Sequence, residues 1–254
     1  MHPLLLKFGP LTIYSYGVMV AVGFGLATIL ICREADKFSI EKDKVIDLAI
    51  LILISGIAGA RFLYVMLNAG YYIARPLEIL GLSKGGLVWY GGFLSAALAS
   101  IFYIRRKRMN FWNVADLIAP YIALAQGAGR IGCFLNGCCY GIETHSGYPL
   151  AVAFPGERVF RHPTQIYSSI LLILIFLILR FGQERRRFTG EIFLGYCALY
   201  SAKRFIIEFL RGDNPRIFYC LTLSQVISLA VLTGSLIIFL YRMARWKKRH
   251  SDLK

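Results

Sequence analysis

Seven apolar stretches, near residues 12–33, 46–68, 87–104, 114–135, 165–181, 190–210 and 221–241, follow one another along this chain and leave only short segments between them. Each approaches the length that a hydrocarbon layer roughly 30 Å thick demands of a helix. Lipid offers no water to backbone amides and carbonyls, so a segment that crosses it must satisfy them internally. Runs of this length do so as helices, which predicts an all-α integral membrane protein with about seven transmembrane helices. The 254 residues are 57% hydrophobic, too apolar for a water-soluble globule of ordinary composition. The first stretch is longer than a signal-peptide core and lacks a small-x-small cleavage site, so it reads as a retained span. The fourth dissolves into a glycine-rich run and is the one expected to break or re-enter. With no internal repeat, low-complexity linker or soluble portion long enough to fold alone, residues 1–254 read as one transmembrane domain. Residues 136–164, rich in Gly, Pro and polar residues, form its candidate external arm or lid.

Basic residues gather in alternate connecting segments: Arg33, Lys37, Lys42 and Lys44, then Arg105, Arg106, Lys107 and Arg108, then Arg180, Arg185, Arg186 and Arg187, and finally the tail after 241. Together these hold 18 of the 29 Lys and Arg residues. The positive-inside rule therefore places the N-terminus outside and the C-terminus in the cytoplasm. The net charge of +15 is mostly this topological signal, with some attraction to anionic lipid heads, and gives no reason to expect a nucleic-acid partner.

Arg130 and Arg204 break the apolar pattern, and a charge in hydrocarbon costs at least roughly 3 kcal/mol on insertion scales, so something must offset it. The expected orientation puts Tyr16, Arg61, Tyr90, Arg130, Arg204 and Glu208 at one depth, in the outer half of the membrane, although they come from different spans. Tyr200, Arg204, Glu208 and Arg211 follow helical spacing and form one polar stripe. Such a stripe can be an Arg–Glu pair that holds two helices together. It can also be an anion site in which Glu208 fixes the Arg204 fork and Tyr200 donates a hydrogen bond. Lys203 faces elsewhere and is expected to snorkel to the interface. Gly56, Gly59 and Ala60 admit a close neighbour, which packing alone explains, but packing does not explain the Arg61 that follows them. Trp89 and Tyr90, flanked by Gly85-Gly86 and Gly91-Gly92, read as interfacial aromatics. Asp47 and Asp116 read as helix starts or as partners of nearby basic residues.

Of six cysteines, Cys32 and Cys197 sit in apolar surroundings as small hydrophobes. Cys133, Cys138, Cys139 and Cys220 fall in outer segments, where a disulfide is permitted. His145 and His162 share that region, but the spacing Cys-x4-Cys-Cys matches no common ligand signature, so neither a metal nor another cofactor is expected.

The run from Gly129 to Gly141 resembles the signature of the prolipoprotein diacylglyceryl transferase family of bacterial inner-membrane enzymes, Gly-Arg-x-(Gly/Ala)-Asn-Phe-apolar-Asn-x-Glu-x-x-Gly. It matches at Gly129, Arg130, Gly132, Phe134, Leu135, Asn136 and Gly141, and departs at Cys133 and Cys138, where the family has Asn and Glu. Further matches are Tyr16-Gly17, Gly59-x-Arg61, Asp116-x-x-Ala119-Pro120, Arg161-His162-Pro163-x-Gln165-x-Tyr167 and Tyr200-x-x-x-Arg204-x-x-x-Glu208. The resemblance implies transfer of the diacylglyceryl group of phosphatidylglycerol to the lipobox cysteine of a preprolipoprotein signal peptide, with glycerol phosphate released. It also implies that Arg130 and Arg204 stabilise the leaving phosphate, with Arg61 as a third head-group contact and Tyr16, Asn136 and Gly141 on the substrate. Tyr90 stands where many members carry a proposed histidine base. A neutral tyrosine is a poor base, so Tyr90 is expected to orient lipid or thiol, with Glu208 and His162 as base candidates. The departures leave room for a paralogue with another acceptor. A lipid transporter or a membrane thiol oxidoreductase is the remaining alternative. The confinement of the charges to one half of the membrane speaks against the first, and the strain of bridging adjacent Cys138 and Cys139 against the second.

Overall fold

The computed structural model describes residues 2–8, 11–81, 85–154, 156, 159–212, 214–218 and 221–251. Cys220, a disulfide candidate by sequence, lies outside the described residues. Each apolar stretch falls on one long helix: α1 (Ser15–Glu34), α2 (Lys42–Leu67), α4 (Trp89–Arg106), α5 (Phe111–Asn136), α6 (Thr164–Gln183), α7 (Glu191–Glu208) and α8 (Leu223–Ser251), with a short α3 (Ala69–Ala74) between. Four helical segments, Ser15–Phe38, Lys42–Leu67, Thr164–Gln183 and Leu223–Ser251, are long and apolar enough to cross a membrane by length and composition alone. Ile54, Leu98, Phe102, Ile178, Ile237 and Leu240 are each more than half exposed, as helices that meet lipid rather than water require.

The all-α expectation needs a correction. A hairpin of β1 (Leu4–Phe8) and β2 (Leu11–Tyr14) precedes α1. A three-stranded sheet in the order β3-β5-β4 forms within the 136–164 segment from Glu143–Thr144 (β3), Val152–Ala153 (β4) and Phe160–Arg161 (β5). A last pair, β6 (Arg216–Phe218) and β7 (Leu221–Thr222), leads into α8. Strands this short carry too few residues for an alternating pattern to register against the helical signal.

The chain forms two compact units, residues 32–114 and residues 1–31 with 115–254. In the first, α2 and α4 cross glycine on glycine. A Cβ on Gly59 would meet the Ser95 side chain and lie 2.6 Å from the Gly91 carbonyl oxygen, and one on Gly92 would lie 2.9 Å from that of Gly56. At this crossing the small residues do what the sequence suggests, bringing two backbones together. Asp47 accepts a hydrogen bond from Tyr103 at 2.9 Å and, among the described residues, pairs with no basic residue.

In the second unit, α5, α6 and α7 share a core of Ala119, Ala123, Leu172, Ile175, Leu179, Ile192 and Tyr196. Pro120 lies inside α5 and cannot donate to the carbonyl four residues back, that of Asp116. The Gln183 amide takes over, donating to the Asp116 carbonyl at 2.8 Å. The Asp116 carboxylate is fully buried, accepts the Gly190 and Phe193 amides at 2.6 and 2.9 Å and lies 3.5 Å from Arg186. It serves the start of α7 rather than of its own helix. The break expected at the end of α5 does not occur, because the helix continues through Gly129 to Asn136. Its small residues instead receive α1: a Cβ on Gly132 would lie 3.0 Å from Met19 Cβ, and one on Gly23 would lie 2.8 Å from Ala128 Cβ.

Candidate active site

Helical spacing on α7 and a capping box on α8 build the first half of the site. Thr222 precedes α8, and its amide donates to the Gln225 side chain at 2.9 Å while the Gln225 amide donates to the Thr222 hydroxyl at 3.3 Å. That fixes Thr222 and Ser224 against α7. Arg204 then pairs with Glu208 at 3.0 Å and donates to Ser224 at 2.9 Å, while the other Glu208 oxygen accepts Thr222 at 2.9 Å and Asn214 at 2.6 Å. Glu208 is buried, hydrogen-bonded through one oxygen and ion-paired to Arg204 through the other, a geometry suited to orienting the Arg204 guanidinium.

Lys203 corrects the sequence expectation. It is 5% exposed instead of snorkelling, with its ammonium 4.9 Å from the centre of the Tyr200 ring. Among the described residues it has no carboxylate or hydrogen-bond partner, and Arg130, Arg204 and Arg211 all act on it electrostatically. Tyr200 packs on Tyr196 at 5.6 Å and makes no side-chain hydrogen bond among the described residues. Arg130, half-buried on α5, has no side-chain hydrogen bond or ion pair among the described residues. Four cations thus act on one another with Glu208 as the carboxylate paired to Arg204, an arrangement complementary to an incoming anion.

The second half is the end of α5. Cys133 lies one turn beyond Arg130, on the same face of the helix. After Asn136 the chain turns through Gly137 and Cys139, at φ of 73° and 64°, and this left-handed coil folds Cys138 and Cys139 back on Cys133. The Cys138 amide donates to the Cys133 carbonyl at 3.1 Å, and the three sulfurs lie within 4.8 Å of one another. The coil is tied to the start of α6, where Gln165 donates to the Cys138 carbonyl at 2.7 Å and Thr164 to that of Cys139 at 2.9 Å. Cys133, Cys138 and Cys139 are free thiols. A hydrogen bond from Cys133, aided by the charges of Arg211 and Arg130, holds the Cys139 thiol below its ordinary range, while burial pushes that of Cys138 up. The Cys138 thiol donates to the Cys133 carbonyl at 3.7 Å, Asn136 acts on that thiol, and Tyr16 on α1 lies within electrostatic reach of Arg130 and all three thiols.

His162 sits on the segment that follows, its Nδ1 3.3 Å from the Tyr167 hydroxyl and its ring edge-to-face with Tyr148 at 4.7 Å. Gly141 is a packing position: its amide donates to the His162 carbonyl at 2.8 Å, and a Cβ there would lie 2.5 Å from the Leu210 carbonyl oxygen. No side chain fits at that point, which gives the glycine a physical reason other than substrate contact.

In the unit of residues 32–114, Arg61 has a different environment from the one expected. Its Nε donates to Ile79, Nη1 to Gly85 and Gly86, and Nη2 to Glu78 and Gly81, all carbonyls, at 2.8 to 3.2 Å. These bonds engage all three guanidinium nitrogens with backbone carbonyls within residues 78–81 and 85–86. Tyr90 is 63% exposed at the start of α4, beside Trp89, which stacks on Phe93 at 5.1 Å.

The arrangement sets a group of cations beside three free thiols. The model of the family described as prolipoprotein diacylglyceryl transferase matches residues 3–241. A phosphatidylglycerol–prolipoprotein diacylglyceryl transferase of Clostridium tetani is 37% identical over 98% of this chain and all of its own length. One of Clostridium perfringens is 36% identical over 94% of each chain, and one of Bacillus cereus 32% over 97% of this chain and 94% of its own. With nearly its whole length matched, this chain belongs to the prolipoprotein diacylglyceryl transferase family.

Proposed function

We propose that this protein, held in the bacterial inner membrane by seven spans with its N-terminus outside, transfers the diacylglyceryl group of phosphatidylglycerol to the lipobox cysteine of exported preprolipoproteins. A thioether forms and glycerol phosphate leaves. The observation that carries this reading is the set of cations Arg130, Lys203 and Arg204, of which, among the described residues, Arg204 alone is paired with a carboxylate, Glu208. As the C–O bond breaks, negative charge grows on the departing phosphate. Cations held in a site of low dielectric stabilise that state more than the intact diester. Arg204, fixed by Glu208 and Ser224, supplies a preset fork, and Arg130 supplies a cation that the substrate itself neutralises. Glu208 accepts two hydrogen bonds on one oxygen and is ion-paired with Arg204 through the other, which favours His162 of the two base candidates. The 136–164 segment serves as the arm that admits the peptide.

The test is to incubate the purified protein with phosphatidylglycerol and a lipobox peptide and to weigh the peptide. A diacylglyceryl increment on its cysteine is the expected result. An unchanged mass, with lipid bound, would redirect the reading to another acceptor.

A further inference from the structure

The Cys133, Cys138 and Cys139 sulfurs lie within 4.8 Å of one another and are not joined by a disulfide. A tetrahedral ion with Zn–S bonds of about 2.3 Å sets its sulfurs about 3.8 Å apart, a contraction of about 1 Å that side-chain rotation supplies. Two ligands ride on a coil pinned to α6 by Thr164 and Gln165, and the third on α5, so the donor set is organised before any ion arrives. Three thiolates on a divalent ion leave a net negative charge, and Arg130 and Arg211 both act on this cluster. Four thiolates close a structural zinc site, whereas three leave a position open, the arrangement of a catalytic one. The two signature departures, Cys133 and Cys138, are both among the three ligands.

Building on the transferase reading above, we propose that Cys133, Cys138 and Cys139 bind one zinc-class d10 divalent cation whose fourth position takes the lipobox thiol. On binding, the thiol loses its proton to water or to a weak base such as His162 and becomes a metal-bound thiolate. Its sulfur forms a bond to the glycerol carbon that bears the phosphate oxygen. The C–O bond breaks with its electron pair passing to glycerol phosphate, beside Arg130. The thioether product is a neutral, weak ligand and leaves, and the cation keeps its oxidation state.

The full chain, reduced and in detergent, is loaded with zinc or with cobalt(II) as a spectroscopic probe. About one ion per chain is expected. Cys133→Ser, Cys138→Ser and Cys139→Ser should each lose it, while Cys32→Ser and Cys197→Ser keep it. A lipobox peptide should alter the cobalt absorption, and its Cys→Ser counterpart should not. Chelation of the wild-type protein, which needs no variant to fold, should slow transfer at least about 30-fold at pH 7, because a free thiol is only about 3% thiolate there, and zinc should restore it. Binding that ignores the three substitutions, or a cobalt spectrum blind to the peptide, overturns the proposal. Full-rate transfer by metal-depleted protein also overturns it and leaves the transferase reading standing. A cobalt spectrum that answers to the peptide without any lipid transfer supports the metal site and sinks the transferase reading instead.

Discussion

Arg130 and Glu208 should separate catalysis from stability. Arg130 is half-buried and has no ion pair among the described residues, so the folded state gains little from its charge, whereas Arg204 depends on Glu208 at 3.0 Å. A cation about 4 Å from the departing phosphate contributes about 4 kcal/mol at an effective dielectric near 20. That is about three decades in rate, in line with the roughly 100- to 1,000-fold loss on removing one preorganised donor. Arg130→Gln should therefore lower kcat/KM by about 100- to 1,000-fold with little change in thermal midpoint, and Arg130→Lys should recover part of the rate by restoring charge without the fork.

Glu208→Gln has the opposite signature. It strands a buried guanidinium and should destabilise the protein by about 3 to 5 kcal/mol, with loss of rate following from misplacement of Arg204. The assay is a time course of peptide mass at varied phosphatidylglycerol, beside a detergent-based unfolding midpoint for each variant. Arg130→Gln turning over within about threefold of wild type would refute the electrostatic argument, since that is under 1 kcal/mol of barrier. A large drop in midpoint for Arg130→Gln would show that its charge is neutralised within the protein, contrary to the geometry.

Lys203→Met removes a buried, carboxylate-free cation, so the midpoint should hold or rise while kcat/KM falls roughly tenfold, about one charge-assisted hydrogen bond; an unchanged kcat/KM would take Lys203 out of the site. Arg61→Met leaves the carbonyls of Glu78, Ile79, Gly81, Gly85 and Gly86 without their donor and should speed proteolysis within 76–88; unchanged cleavage would mean the loop holds itself. Gly59→Val drives a side chain into Ser95 and the Gly91 carbonyl and should lower stability by at least about 1 to 3 kcal/mol, read from the same unfolding midpoint, with a smaller effect showing that α4 can give way.

The helices were legible because the bilayer imposes length and composition on each span independently, and the Arg204–Glu208 pair because helical spacing places them one turn apart. Lys203 was not, since periodicity says which residues share a face but not what that face meets. The cage around Arg61 was hidden for another reason: its acceptors are carbonyls 17 to 25 residues away, and every residue type carries a carbonyl. The thiol cluster needs contact across the end of a helix, through left-handed positions at Gly137 and Cys139, and only the glycine announces such a turn in sequence. The short strands fall where no periodic signal has room to develop.

These differences come down to how one chain accommodates cations in a largely apolar surrounding. Arg61 meets neutral dipoles, five carbonyls that leave its charge formally intact but its donors engaged. Such a guanidinium ties together the backbone segments that bear those carbonyls. Arg204 meets a carboxylate and a hydroxyl, which cancel its charge in part and fix its plane, so it can still present a fork to a second anion. Arg130 and Lys203 meet neither carboxylate nor carbonyl among the described residues, and on the proposed reading this unfavourable burial is what a phosphate would relieve on binding. On the proposed reading, the ordering from satisfied to unsatisfied is an ordering from scaffold to chemistry. It explains why the sequence, in which each of these residues is simply a charge in an apolar run, ranks Arg61 with Arg130 while the structure separates them.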